Sequence, residues 1–193
     1  MKKNVLVFLL VMLGLSFPAT PLYAQKHYHG DGIDDILRFV PLAGAITLKT
    51  CGVDSRSDWQ HFALNAALST TFTVATTYAF KQTVHSTRPD GTDDHSFPSG
   101  HTSLVFSGAH ILHKEYGKLS PWISVAGYTV ATVTAFDRIR RNRHHWPDVA
   151  AGAAIGILST EASYCLSSII LPTRQESLSF TITPSNISFS LNW

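Results

Sequence analysis

Long uncharged runs alternate with short, charge-dense polar segments along this chain, and the runs have helical rather than strand lengths. Behind Met1-Lys2-Lys3, an apolar core from Val5 to Leu15 leads into prolines and small residues up to Ala24. Ile36 to Thr50 is the next apolar segment, interrupted by Arg38 and Pro41. After a polar turn in which Ser57 or Asp58 is placed to cap a helix, His61 to Phe80 carries no charged residue. That run nears the ~20 positions that cross a bilayer, although its Ala and Thr content keeps it only moderately hydrophobic. Pro98 is expected to open a helix to about Tyr116, and Pro121 another to Phe136, followed by a basic loop from Asp137 to Trp146. Pro147 suits a helix start, where its missing N–H costs nothing. The last long helix then runs to about Leu171, with Gly152 and Gly156 allowing close contact.

Beyond Pro172 the period changes. Ser179 to Thr183 and Ile187 to Trp193 alternate apolar and polar residues around Pro184-Ser185-Asn186, a strand–turn–strand pattern. The expected fold class is all-α, a helical bundle of about five helices with a short C-terminal β-hairpin-like tail. The boundaries are a signal peptide over 1–24, a helical domain over 25–172 and the tail over 173–193.

Composition sharpens this picture. Charged residues make up 15% of the chain, against roughly 25% in soluble domains, which points to a membrane-embedded or tightly packed helical protein. The basic start, short apolar core and small-residue stretch resemble a bacterial secretory signal, so the mature chain is expected in the cell envelope. Net charge is only +2, but Arg138, Arg140, Arg141 and Arg143 cluster and attract an anion. No nucleic-acid motif or interleaved aromatic platform accompanies them, which excludes nucleic acid as the partner. Cys51 and Cys165 stand far apart, either to pair in an oxidising compartment or to remain two buried thiols. Neither has a second cysteine nearby for a metal site.

The charge and histidine concentrate between Lys81 and Asp148, in three clusters at the edges of the apolar runs. Lys81, Arg88 and Arg138 offer the cations that neutralise a phosphoryl group, the arginines as bidentate forks. Pro98-Ser99-Gly100-His101 at a helix start offers backbone N–H groups and a positive dipole end, and Gly100 lets the backbone approach oxygens closely. His144 and Asp148 are four residues apart, so one turn brings carboxylate to imidazole and activates the ring for attack. His101, from another segment, is then the acid for the leaving oxygen. Such a phospho-histidine route needs no metal and no cofactor. His110 and His113 are read as locally paired histidines without a site role.

Lys81, six residues, Arg88-Pro89; then Pro98-Ser99-Gly100-His101; then Arg138, five residues, His144, three residues, Asp148 resembles the three-part signature of the type 2 phosphatidic acid phosphatase family. It spans 68 of the 193 positions, and the helix order around it is similar to that family's all-helical core. The resemblance implies substrate binding by Lys81, Arg88, Ser99, Gly100 and Arg138. It implies His144 as nucleophile, Asp148 as its orienting partner and His101 as general acid. One departure stands out: the family usually has Ser before the third-cluster Arg, and this chain has Asp137. That carboxylate either repels substrate or pairs with a neighbouring Arg.

These features imply a phosphatase acting on phosphate monoesters or diphosphates of envelope lipids, of lipid A, phosphatidylglycerol phosphate or polyprenyl diphosphate type. It is expected in the inner membrane with its site facing the periplasm. The competing readings are a soluble periplasmic acid phosphatase acting on small phosphate esters, a vanadium haloperoxidase sharing the oxyanion pocket, and a non-catalytic relative.

Overall fold

The computed structural model describes residues 32–171 in full and the backbone of 179–183 and 186–190. The expected signal peptide and the side chains of the tail lie outside the described residues. Within them the helices are α1 (Ile33–Leu37), α2 (Val40–Thr50), α3 (Trp59–Thr83), α4 (Gly100–Tyr116), α5 (Pro121–Arg140) and α6 (Trp146–Ile170). Two strands follow, β1 (Ser179–Thr183) and β2 (Asn186–Ser190), paired antiparallel with Phe180 opposite Phe189. The expected all-α bundle with a hairpin tail is the observed architecture.

Local chemistry explains two of the helix starts. The Asp58 carboxylate accepts from the backbone N–H of His61 at 2.8 Å and so caps α3. At the start of α6, His145 and Asp148 form a reciprocal capping box, with Pro147 in the first turn. Two boundaries differ from the sequence pattern. The first is α4, which begins at Gly100 rather than Pro98; Pro98 follows a cis peptide and Ser99 is the residue before the helix. The second is α5, which continues through Asp137 and Arg138 to Arg140 instead of stopping at Phe136. Asp137 and Arg140 pair one turn apart, and basic residues in a last turn suit the helix dipole, so the polar residues extend the helix. The polar stretch just before Ile36 is also helical, since Asp34 and Asp35 belong to α1.

Helix α4 lies at the centre, packed by α2, α3, α5 and α6. One apolar cluster joins Ala45, Phe62, Ile111, Leu112, Tyr116 and Tyr164; another joins Val105, Ala109 and Ala131. Between α3, α4 and α6 the interior is lined by small hydroxyl residues. Thr77 bonds Ser103 at 2.9 Å and Ser107 bonds Thr160 at 3.0 Å. Many other large apolar side chains point outward, with Trp122 76% and Leu158 66% exposed. Among the described helices, α6 is the one long and apolar enough to cross a membrane. Cys51 and Cys165 are free and exposed, neither a disulfide nor buried thiols.

Close approach of α6 to α4 depends on glycine. A Cβ at Gly152 would lie 2.6 Å from the carbonyl oxygen of Ser99, and one at Gly156 would lie 2.3 Å from that of Ser103. Both obstacles are backbone, which a side-chain rotation cannot relieve. Replacing Gly156 with Ala is expected to lower stability by about 1–3 kcal/mol, measurable as a fall in Tm of the detergent-purified chain.

Candidate active site

Alternation of direction brings four helix ends together. The C-terminal ends of α3 and α5 carry Lys81 and Arg138; the N-terminal ends of α4 and α6 carry the Ser99-Gly100-His101 turn and Asp148, with His144 just before α6. Two contacts tie the clusters. The Ser99 N–H donates to the Asp148 carbonyl at 2.9 Å. Lys81 Cε would meet a Cβ on Gly100 at 4.0 Å, so lysine and glycine lie side by side. The Ser99 amide is therefore engaged by protein, although the sequence pattern offered it to an anion.

The 84–97 loop closes over the same end. Its backbone pairs Ser86 with Asp94 and Ser96, and Arg88 with Asp93. Lys81 Nζ donates to the His95 carbonyl at 2.6 Å, and Arg88 Nε donates to Asp93 Oδ1 at 2.7 Å. Burial, reinforced by the nearby Arg88, pushes the Lys81 ammonium down to about 8.

His144 is 3% exposed. Burial and the positive charges of Arg138, Arg88 and Lys81 push its pKa down to about 2, so at neutral pH the ring is uncharged. Its Nδ1 faces Ser96 Oγ at 3.5 Å and Asp148 Oδ2 at 3.7 Å. The expected direct carboxylate–imidazole hydrogen bond is thus too long. Asp148 Oδ2 instead accepts from Ser96 Oγ at 2.5 Å and from the His145 N–H at 2.8 Å. Ser96 stands between the two groups that the sequence spacing paired. It was missed because it lies 48 residues from His144, in a loop of many hydroxyls with no spacing to mark it.

Arg138 is 6% exposed and forms an ion pair through Nη1 with Asp34, which is wholly buried. Arg141 Nη1 joins the same carboxylate at 2.7 Å. Burial works against the Asp34 charge, but Arg138, His101 and Arg141 outweigh it and hold the carboxyl below its usual range. Arg138 Nε is buried with no hydrogen-bond partner among the described residues. His101 Nε2 lies 2.8 Å from Asp35 Oδ1 and 3.1 Å from Arg38 Nη1. Burial lowers the His101 pKa, helped by Arg138 and Arg38 and opposed by Asp35. Asp34, Asp35 and Arg38 were not among the sequence candidates; the two aspartates fall in a polar stretch with no motif, and Arg38 only interrupts an apolar run. The ligand atoms of Asp34, Asp35 and His101 lie within 4.8 Å of one another, but three arginines crowd them, and that positive field opposes a metal cation.

Asp137 takes the second of its two expected roles: its Oδ1 accepts from Arg140 Nη2 at 2.8 Å. His110, read as locally paired, bonds Tyr128 and Glu161. His113 bonds Ser124.

The bundle gathers three cations and two histidines at one end, an arrangement whose charge suits an anion. The PAP2 superfamily model matches residues 62–170, more than half of the chain, and the protein belongs to that superfamily. A lipid A 1-phosphatase of Porphyromonas gingivalis is 42% identical over 139 residues, covering 72% of this chain and 31% of its own length. A probable lipid phosphate phosphatase beta of Arabidopsis thaliana is 38% identical over 98 residues, 38% of this chain and 45% of its own. The chain therefore spans less than half the length of either relative. The crystal structure of Aquifex aeolicus LpxE shares the fold, with a TM-score of 0.54 at 21% identity over 72% of this chain and 87% of that one.

Breaking one side of a buried ion pair typically costs about 3–5 kcal/mol. Arg138→Ala is expected at the lower end of that range, because Arg141 still compensates Asp34. Equilibrium denaturation should also show Asp34→Asn and Arg138→Ala combining to less than the sum of their separate effects.

Proposed function

We propose that the protein is a phosphatase that removes phosphate from phosphorylated envelope lipids through a phospho-histidine intermediate. The observation that carries this is His144: an uncharged imidazole, buried, with three cations around it and Nδ1 turned toward Ser96 and Asp148. That leaves the Nε2 lone pair for attack. A neutral imidazole in a cationic pocket is poor at holding a proton and good at meeting a phosphoryl group.

In the proposed route, Lys81, Arg88 and Arg138 bind the phosphoryl oxygens, with Ser99 and Gly100 shaping the cradle at the start of α4. Arg138 Nε, with no partner among the described residues, is a donor of the kind such an oxygen would satisfy. His144 Nε2 forms a bond to phosphorus as the phosphorus–ester oxygen bond breaks, and His101 gives that oxygen a proton. Water then attacks the phospho-histidine, His101 takes its proton back from the water, and inorganic phosphate leaves. Asp148 acts on His144 through Ser96, fixing the ring rather than gripping it directly.

Lipid as the substrate class is supported by two independent things. The relatives are named as phosphatases of lipid A and of lipid phosphates. The bundle also lines the seam between α3, α4 and α6 with hydroxyls and exposes many large apolar side chains, Trp122 and Leu158 among them, which suits lipid surroundings. An inner-membrane setting with the site at the periplasmic face fits these features and the expected secretory start. The free, exposed cysteines lend no support to the soluble periplasmic alternative.

Replacing His144 with Ala is expected to cut phosphate release by about a thousandfold or more, and the labelled phosphoprotein that wild type shows after denaturation in alkaline SDS should be lost. Retained activity would refute the nucleophile. With dioctanoyl phosphatidic acid and p-nitrophenyl phosphate compared in detergent, kcat/KM should favour the lipid. Equal values without any need for detergent would point to the soluble enzyme.

A further inference from the structure

Helix α1 is a single turn, too short to hold itself together. Charge holds it instead. Asp34 bonds Arg138 Nη1 and Arg141 Nη1, while Asp35 reaches His101 Nε2 at 2.8 Å. The approach depends on Gly32, where a Cβ would lie 1.5 Å from Arg141 Nη1 and 1.9 Å from Asp34 Oδ1. Two neighbouring carboxylates of one turn thus touch two groups of the proposed site that come from different helices, α4 and α5.

Each contact divides its partner's hydrogen-bonding capacity. Asp34 grips Arg138 by Nη1 and leaves the buried Nε without a protein partner among the described residues. His101 Nε2 faces Asp35 at 2.8 Å, Arg38 Nη1 at 3.1 Å and Asp34 Oδ2 at 3.9 Å, with Arg138 acting on it from α5. That nitrogen cannot serve both near neighbours. It donates to Asp35 when it carries a proton and accepts from Arg38 when it does not. Burial and the two arginines favour the bare ring, and the two aspartates counter them by favouring the proton-bearing one.

Resting on the phosphatase reading above, we infer that Asp34 and Asp35 are positioning residues for its two halves. Asp34 anchors the Arg138 guanidinium so that its Nε edge meets phosphate, and Asp35 accepts from the proton-bearing His101 and so opposes loss of that proton before the leaving oxygen takes it. Neither carboxylate gains or loses a covalent bond to hydrogen during turnover; the hydrogen bond to Asp35 lapses while His101 Nε2 is bare and returns when the ring takes a proton from water. The rival arrangement has these carboxylates standing in the phosphate's own place and leaving before substrate can bind.

The test uses the full chain in detergent with dioctanoyl phosphatidic acid, comparing wild type with Asp34→Asn, Asp35→Asn, Asp35→Glu and His144→Ala. Asp35→Asn should lower kcat at neutral pH about tenfold or more with KM within about twofold. It should also move the alkaline limb of the kcat–pH profile to lower pH, since a general acid that loses its proton more readily fails earlier on the alkaline side. Asp35→Glu should recover part of both. Asp34→Asn should raise KM. A profile for Asp35→Asn that superimposes on wild type, in a variant whose melting matches wild type, overturns the role of Asp35. A lower KM for Asp34→Asn overturns the role of Asp34, because it would show the carboxylate competing with phosphate. Full activity in His144→Ala would instead bring down the phosphatase reading itself, whatever the two aspartates do.

Discussion

A guanidinium sealed from water needs an opposite charge beside it, and Arg138 obtains one from Asp34. Much of the site's arrangement follows from that requirement. The pair fixes the end of α5 against the turn of helix that precedes α2, and it brings Asp35 to the ring of His101. It also leaves the charge of Arg138 acting on His144, which burial has already stripped of its tendency to take a proton. The same cation is balanced on one side and available on the other.

The scaffold serves this arrangement by letting helix ends come close. Gly152 and Gly156 allow α6 to lie against the backbone of α4, and this keeps Asp148 within reach of the Ser99 amide. With hydroxyls filling the seam between α3, α4 and α6, the long helices have few large side chains on their inner faces. The large ones point out, so the bundle has two apolar boundaries, one with its small core and one with its surroundings. That explains why the runs read as uniformly apolar rather than amphipathic, and why periodicity located the helices without revealing which face was inside.

Much of the site was legible in the chain because its residues sit at fixed short spacings on helix ends. Lys81 and Arg88, Ser99 to His101, and Arg138, His144 and Asp148 converge as that spacing requires. What the spacing could not convey is how His144 and Asp148 meet. Four positions on a helix put the two side chains near each other, but His144 precedes the first turn of α6, and Asp148 is drawn into capping that turn at the His145 amide. Ser96 fills the resulting gap. The Asp137 carboxylate likewise gave two outcomes on paper, and only its one-turn separation from Arg140 on a helix that continues past Phe136 decided between them.

The sequence alone determined the class of fold, the order of the helices and which cations and histidines stand at the helix ends, because helical period, proline position and local charge are properties of neighbouring residues. It also determined membership in the family, since the three clusters keep their order and intervals. Tertiary structure alone decided that Ser96 lies between His144 and Asp148 and that the two cysteines stand apart. It also decided that Asp34 and Asp35 belong beside Arg138 and His101. These depend on contacts between residues up to 107 positions apart, where burial removes water and an opposite charge must be found wherever the fold can supply it.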